Sequence, residues 1–200
     1  MKNLFNEVNR KSTDAIKWDY QERKDNIPFW IADSDYGTAP CVLKAIEETS
    51  KHSVYGYNKV PIEFNEAVVN WYQKRYKCKL DANWVIPSTG VILELRVLID
   101  LITKVNEGVI LQTPVYHTFH RLLKGMQRRI VENKLIKVDD TYIIDYENLE
   151  KLFKDGHKVL ILCSPHNPIG RIWNYDEIER IITIAKKYQA FVIIDEYIVI

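Results

Sequence analysis

Short apolar runs alternate with longer amphipathic segments along the second half of the chain. The apolar runs span residues 84–88, 108–112, 128–133, 158–163 and 190–195. The amphipathic segments between them span residues 90–105, 115–125, 146–154 and 174–188. Strands that are apolar on both faces are typical of a parallel sheet covered by helices on each side. The pattern therefore predicts an α/β fold, a three-layer sandwich around a mostly parallel sheet, in which ligands bind at the carboxyl ends of the strands.

The first half of the chain has a weaker hydrophobic period. Residues 40–48 begin with a proline, which suits the first turn of a helix, and the apolar positions of residues 61–76 approximate a helical stripe. Residues 1–35 show no clear period, so we expect an arm or a loop there. We therefore divide the chain into an amino-terminal arm with a small-domain segment, residues 1–50, and part of a ligand-binding large domain, residues 51–200.

The composition argues against several classes of protein. The chain has 200 residues, and its 28 Lys and Arg residues balance 27 Asp and Glu residues, which leaves a formal net charge of +1. Such a chain lacks the basic surface that nucleic-acid binding needs. Its apolar runs are much shorter than the roughly 20 residues of a membrane-spanning helix, and its amino terminus does not resemble a secretory signal. We therefore expect a cytoplasmic protein that binds neither nucleic acid nor membrane.

Several familiar motifs are missing from the sequence. The seven glycines form neither GxGxxG nor GxxxxGK[ST], and the chain has no GxSxG. The three cysteines, Cys41, Cys78 and Cys163, lie far apart without a CxxC pair, which argues against a disulfide framework and a zinc site. His117 and His120 have helical spacing, but no acidic or cysteine residue lies near them in sequence, so we predict no metal site.

Two candidate ligand contacts follow the first predicted strands. Gly90, Val91 and Ile92 open a predicted helix, whose free backbone N–H groups suit a phosphate dianion. A glycine that only allows the chain to turn is the competing interpretation. Tyr116 follows the run at 108–112, where an aromatic ring can stack on a flat ligand. A tyrosine of the ordinary core fits that position equally well.

Two further candidates follow the last predicted strands. Asn167 lies in a loop that is stiffened by Pro165 and Pro168, so its amide can be oriented with little loss of entropy. Asp195 ends a wholly apolar strand, where an unpaired charge would be costly. We therefore expect a cationic or protonated partner for Asp195, which can be a ligand or a structural group of the protein.

Six segments, taken in order, carry a likeness to a known family: FWIADSDYGTAPCV, VYGY, PSTGVI, LQTPVYHTF, LCSPHNPIGRIW and VIIDE. Together they resemble the class I/II aminotransferase superfamily of pyridoxal-phosphate enzymes, which have fold type I. The likeness is greatest to the cystathionine β-lyase branch, also called cysteine-S-conjugate β-lyases. It covers nearly the whole chain, and it implies that residues 51–200 are part of the large domain that binds pyridoxal 5′-phosphate.

The resemblance implies a role for each candidate residue. Backbone amides of residues 90–92 would bind the cofactor phosphate, and Tyr116 would stack on the pyridine ring. Asn167 would donate to the ring oxygen. Asp195 would pair with the protonated ring nitrogen and so keep the ring an electron sink. Tyr57, in the segment YGY, would reach across a homodimer to the phosphate of the neighbouring site.

The activity implied by the resemblance is a β-elimination. A small sulfur-containing amino acid such as cystathionine would yield pyruvate, ammonia and a thiol. Two alternatives stay open, an aminotransferase and a non-catalytic fragment that pairs with homologous subunits.

The sequence departs from the family in two places. The family's Schiff-base lysine follows the aspartate by some tens of residues, whereas this sequence ends at Ile200. We therefore expect the amino-terminal portion of such an enzyme, truncated before the Schiff-base lysine and the carboxyl-terminal small domain, without a catalytic residue of its own and inactive in isolation. The second departure is the segment DEYIVI, where Ile198 replaces a polar group of the family.

Overall fold

A computed structural model describes residues 7–20, 23 and 25–196. Ile198, the second departure from the family, lies outside the described residues. By its internal contacts the chain divides into two units, Met1–Pro61 and Ile62–Ile200. The division into an arm and a large domain at residue 50 stays a prediction.

The first unit contains two helices among its described residues, α1 (Ile16–Asp19) and α2 (Pro40–Ser50). The arm or loop expected over residues 1–35 therefore includes one short helical turn. The Asp19 carboxylate accepts hydrogen bonds from the backbone N–H groups of Ser12, Thr13 and Ala15, which lowers the pKa of Asp19. Helix α2 begins with Pro40, as predicted from the sequence.

The second unit alternates helices and strands along the chain. Its elements are α3 (Ile62–Tyr76), a 3₁₀ turn (Ala82–Trp84), α4 (Val91–Ile102), β1 (Gly108–Leu111), α5 (His117–Gly125), β2 (Arg129–Glu132), β3 (Ile136–Val138), β4 (Thr141–Ile143), α6 (Tyr146–Lys154), β5 (Val159–Cys163), α7 (Tyr175–Lys187) and β6 (Phe191–Asp195). Within the described residues, β2, β1, β5 and β6 form a parallel sheet in that order. Strands β3 and β4 form a separate antiparallel hairpin.

Helices cover both faces of the parallel sheet. Alternate residues of β5 join different apolar clusters, because successive side chains of a strand point to opposite faces. One cluster contains Ile161 and Cys163 together with buried residues of α4 and α5: Leu95, Ile99, Phe119 and Leu123. The other contains Leu160 and Leu162 together with buried residues of α6 and α7: Leu149, Phe153, Ile181 and Ala185. The predicted three-layer α/β sandwich is thereby confirmed.

One predicted strand, residues 84–88, is wrong. The segment begins in the 3₁₀ turn, where the Asp81 side chain accepts a hydrogen bond from the Asn83 N–H, and it continues without a paired strand in the described structure. Pro87 has no N–H group for a sheet ladder, and Trp84 and Ile86 are exposed. The apolar run therefore did not indicate a buried strand here.

The hairpin of β3 and β4 has no counterpart among the predicted elements. Each strand has only three residues, which is too short for a hydrophobic period to be recognised. Asp139, in the turn between them, has a positive φ of 50°, a conformation that aspartate tolerates better than most residues. The turn allows the chain to reverse between β2 and α6.

We expect the capping box of α7 to contribute measurably to stability. The Asn174 side chain accepts from the Glu177 N–H, and the Glu177 side chain accepts from the Asn174 N–H. Asn174→Ala should lower the free energy of unfolding by about 1 kcal/mol, because it removes one of these bonds. Urea unfolding measures the loss. Asn174→Asp, which keeps an acceptor, is the control, and equal stability of the alanine variant would contradict the prediction.

Candidate functional site

Three neighbouring strands end at the same edge of the sheet. The last residues are Leu111 in β1, Cys163 in β5 and Asp195 in β6, and these strands lie side by side. Cys163 and Asp195 are register partners, and the Ser164 N–H donates to the Asp195 carbonyl oxygen at 2.9 Å. The segment after β5 therefore leaves the sheet beside Asp195, and the segment after β1 leaves the same edge one strand further away.

The amino terminus of α4 is suited to an anion. Gly90 precedes the helix with φ 155° and ψ 149°, a conformation that residues with a side chain rarely adopt. A glycine cap contributes no side-chain hydrogen bond to the helix, so the first N–H groups of α4 remain available. Together with the helix dipole they favour negative charge. Val91 and Ile92 anchor this end because both pack against the apolar cluster under α4 and α5.

A cleft of about 380 Å³ joins this helix end to Asp195. Gly90, Val91 and Asp195 all line it, together with the carboxylate-bearing residues Glu94 and Glu196. Neither Tyr116 nor Asn167 is among the described residues that line the cleft. The structure thus brings an anion-favouring helix end and a carboxylate to one cavity, although they are far apart in sequence.

The thiol of Cys163 connects Asp195 with the loop of Asn167. Its Sγ lies 3.9 Å from Asp195 Oδ2 and 3.4 Å from the Pro165 carbonyl oxygen. Burial raises the pKa of the Cys163 thiol, the Asp195 carboxylate raises it further, and a backbone hydrogen bond from Asn167 acts in the opposite direction. The net effect keeps the thiol protonated at neutral pH, so it adds no second negative charge beside Asp195.

Asn167 lies in a tightly folded loop with its side chain exposed. His166 and Arg171 form an antiparallel bridge across the loop, and the Gly170 N–H donates to the His166 carbonyl oxygen at 2.8 Å. The Arg171 guanidinium pairs with Glu177, the same residue that belongs to the capping box of α7. These contacts restrict the loop, as the two prolines had suggested.

Tyr116 immediately precedes α5 and is half-buried. Its ring meets the Phe119 ring edge to face, with centroids 5.6 Å apart, and the His117 ring at 5.1 Å. It packs against the same apolar cluster as Val91 and Ile92. Tyr116 is therefore on the face of the sheet that carries α4, and it has core contacts as well as an accessible portion.

Two residues of the loop after β5 were missed by sequence reasoning. His166 is 1% exposed, and Trp173 is 3% exposed. The Trp173 Nε1–H donates to the Cys163 carbonyl oxygen at 3.0 Å, so the indole holds the loop to the end of β5. The signal available in the sequence was the presence of histidine and tryptophan in a proline-containing segment directly after an apolar strand.

The remaining candidate residue, Tyr57, belongs to the first unit. Tyr57 lies in a segment without helix or strand and is fully exposed, and its predicted role stays a prediction. The two acidic residues of the segment IADSDY have local partners: Arg10 pairs with Asp33, and the buried Lys17 Nζ donates to Asp35 at 2.7 Å. The hydrogen bond from Lys17 holds the pKa of Asp35 below its usual range. These contacts give both acids a structural role within their own unit.

The described residues contain neither a metal-binding cluster nor a membrane-spanning helix. No group of three or more His, Cys, Asp or Glu side chains in this part of the chain is arranged to hold a metal ion. No described helix combines the length and the apolar character that a membrane crossing requires.

Comparison with known proteins places these observations in a family. The sequence model of aminotransferase class I and II matches residues 24–197. Protein MalY of Escherichia coli K12 is 33% identical over 195 residues, which cover 94% of this chain and 50% of MalY. Cystathionine beta-lyase PatB of Bacillus subtilis is 31% identical over 192 residues, which cover 94% of this chain and 50% of PatB.

A solved structure is similar over almost all of this chain. Cystalysin from Treponema denticola, whose crystal structure contains pyridoxal 5′-phosphate, superposes with a TM-score of 0.89 at 30% identity. The similarity covers 98% of this chain and 52% of cystalysin. The chain thus spans about half the length of the relatives that it matches.

Proposed function

The chain belongs to the aminotransferase class I and II family, and on this basis we propose that it forms the cofactor-binding part of a pyridoxal-phosphate-dependent C–S β-lyase. The substrates are small sulfur-containing amino acids such as cystathionine, and β-elimination yields pyruvate, ammonia and a thiol. The name of PatB supports the lyase branch. When bound, the cofactor supplies an electron sink for the negative charge that develops when the α-proton leaves.

The cleft between α4 and Asp195 is the observation that carries this proposal. Its amino-terminal helix end favours a dianion, and its other side presents a carboxylate. Pyridoxal 5′-phosphate has a matching polarity, with a phosphate at one end and a protonatable nitrogen in its ring. Gly90, Val91 and Ile92 bind the phosphate through their backbone amides, and Asp195 pairs with the ring nitrogen.

The other candidate residues complete the cofactor contacts in this proposal. Tyr116, held beside Phe119 at the start of α5, stacks on the ring. Asn167, held in the restricted loop after β5, donates to the ring oxygen. Tyr57 reaches the phosphate of the neighbouring site in a homodimer. Its side chain is fully exposed and therefore accessible to a second subunit.

Titration with pyridoxal 5′-phosphate, followed through quenching of tryptophan fluorescence, tests the proposal on the 200-residue chain. We expect saturable binding, and we expect inorganic phosphate to compete because both use the helix end at Gly90. Pyridoxal without the phosphate is the control for reaction with surface lysines, and it should bind more weakly. Absence of saturable binding would overturn the proposal.

No described lysine lines the cleft, and we further propose that the lysine that anchors the cofactor and moves the α-proton lies elsewhere in the enzyme. The chain mixed with cofactor and cystathionine should then release no pyruvate. A coupled assay with lactate dehydrogenase measures this, with the Bacillus subtilis lyase as the positive control. Steady pyruvate release would show that the chain holds a complete site.

The family also contains aminotransferases, so the reaction type needs its own test. In protein that contains the complete site, a lyase releases pyruvate and thiol without any added amino acceptor. Transamination instead yields a keto acid only when a second keto acid accepts the amino group. Product analysis with and without an acceptor therefore separates the two activities.

A further inference from the structure

The His166 side chain links the two loops that carry Tyr116 and Asn167. Its ring lies in the loop after β5, and Nε2 is 2.9 Å from the carbonyl oxygen of Pro114, in the loop after β1. A carbonyl oxygen only accepts hydrogen bonds, so Nε2 carries a proton and donates it. Pro114 lies two residues before Tyr116, and His166 is adjacent to Asn167. One side-chain hydrogen bond thus spans the gap between the two candidate ring contacts.

The His166 ring is held from other directions as well. It packs edge to face against Trp173, with ring centroids 5.5 Å apart and planes at 86°. Its backbone N–H donates to the Arg171 carbonyl oxygen, and its carbonyl accepts from Gly170. These contacts fix the position of the ring, and with it the hydrogen bond to the Pro114 carbonyl oxygen.

The ring is also a neutral imidazole. Its 1% exposure lowers the pKa of His166, since burial disfavours the charged form. Nδ1 has no hydrogen-bond partner among the described residues, so the bond to Pro114 is the hydrogen bond that holds the ring there, and the backbones of Gln112 and Cys163 lie close enough to affect its pKa. Removing the Nε2 donor would therefore remove the hydrogen bond by which the ring joins the two loops.

We propose that His166 is a positioning residue that sets the spacing between Tyr116 and Asn167 and so the width of the slot for the cofactor ring. The proposal rests on the proposed function, because it needs both residues to contact that ring. In this proposal His166 affects only the contacts to the cofactor ring, because the phosphate contacts at Gly90 belong to a different loop. Loss of the His166 donor should therefore affect ring binding and leave phosphate binding unchanged.

Substitution of His166 tests directly whether ring binding and phosphate binding respond differently. His166→Phe keeps an aromatic ring against Trp173 and removes the donor, and His166→Gln keeps an amide donor near the position of Nε2. His157→Phe is the matched control, because the His157 ring lies beside Gly108, in the space that a side chain at Gly108 would occupy, at the amino-terminal edge of the sheet. We expect His166→Phe to weaken binding of pyridoxal 5′-phosphate about tenfold, and the other two variants to change it less than about threefold. Binding of inorganic phosphate should be the same in all of them.

A second measurement needs no cofactor. Amide hydrogen exchange of the free chain should increase in His166→Phe at Phe119, whose N–H donates to the Tyr116 carbonyl oxygen, and His166→Gln should restore the protection. Equal weakening of phosphate and cofactor binding in His166→Phe, or unchanged cofactor binding, would overturn the proposal while the proposed function stands. Absence of cofactor binding by the unaltered chain would overturn both.

Discussion

Replacing Asp195 by asparagine is expected to weaken the binding of pyridoxal 5′-phosphate to this chain by about 10- to 100-fold. The amide keeps the size of the side chain and removes its charge, so the charge-assisted hydrogen bond to the protonated ring nitrogen is lost. Hydrogen bonds to charged groups contribute about 1.5–3 kcal/mol, and each 1.4 kcal/mol is tenfold in affinity. Fluorescence titration of both proteins measures the change.

The Asp195 prediction has a matched control and a second readout. Asp176→Asn makes the same chemical change at an exposed position in the first turn of α7, and it should leave cofactor affinity unchanged. Inorganic phosphate, which lacks the ring, should bind Asp195→Asn as well as it binds the unaltered chain. Equal cofactor affinity of Asp195→Asn and the unaltered chain would remove Asp195 from the proposed site.

Replacing Phe119 by alanine is expected to lower the free energy of unfolding by about 3–5 kcal/mol. The Phe119 side chain is fully buried between α5 and the sheet, and its truncation leaves a cavity among close-packed neighbours. The loss is a large share of the roughly 5–15 kcal/mol that stabilises a typical domain. Urea unfolding followed by circular dichroism measures it.

The same truncation at an exposed phenylalanine is the control for Phe119. Phe191 begins β6, and its side chain is 56% exposed, so Phe191→Ala should cost less than about 1 kcal/mol. If the two variants lost equal stability, the sheet face under α4 and α5 would not be the packed core described above.

Much of the fold could be predicted because burial leaves a local pattern in the sequence. Strands β1, β2, β5 and β6 and helices α2 to α7 all fall on segments with the expected period. The error at residues 84–88 arose because an apolar run does not reveal whether its backbone groups pair with a neighbouring strand. Pro87 has no N–H group to donate to such a strand. The hairpin of β3 and β4 was missed because three residues carry too little pattern.

The candidate site could be predicted only in part. Asp195 stood out because a charge at the end of an apolar strand is costly, and Gly90 stood out because it precedes a helical segment. His166 did not, because its importance depends on the Pro114 carbonyl oxygen, 52 residues away in sequence. A local pattern cannot reveal a hydrogen bond between two loops.

By itself the sequence determined the three-layer α/β class, the approximate positions of β1, β2, β5 and β6, and the family resemblance, because each depends on patterns within short segments of the chain. Only the tertiary structure decided that α4 and Asp195 share one cleft and that His166 joins the loops after β1 and β5. The physical reason is the strand order β2–β1–β5–β6. That order results from the packing of the whole sheet against its helices, so the hydrophobic period of a single segment does not specify which strand ends become neighbours.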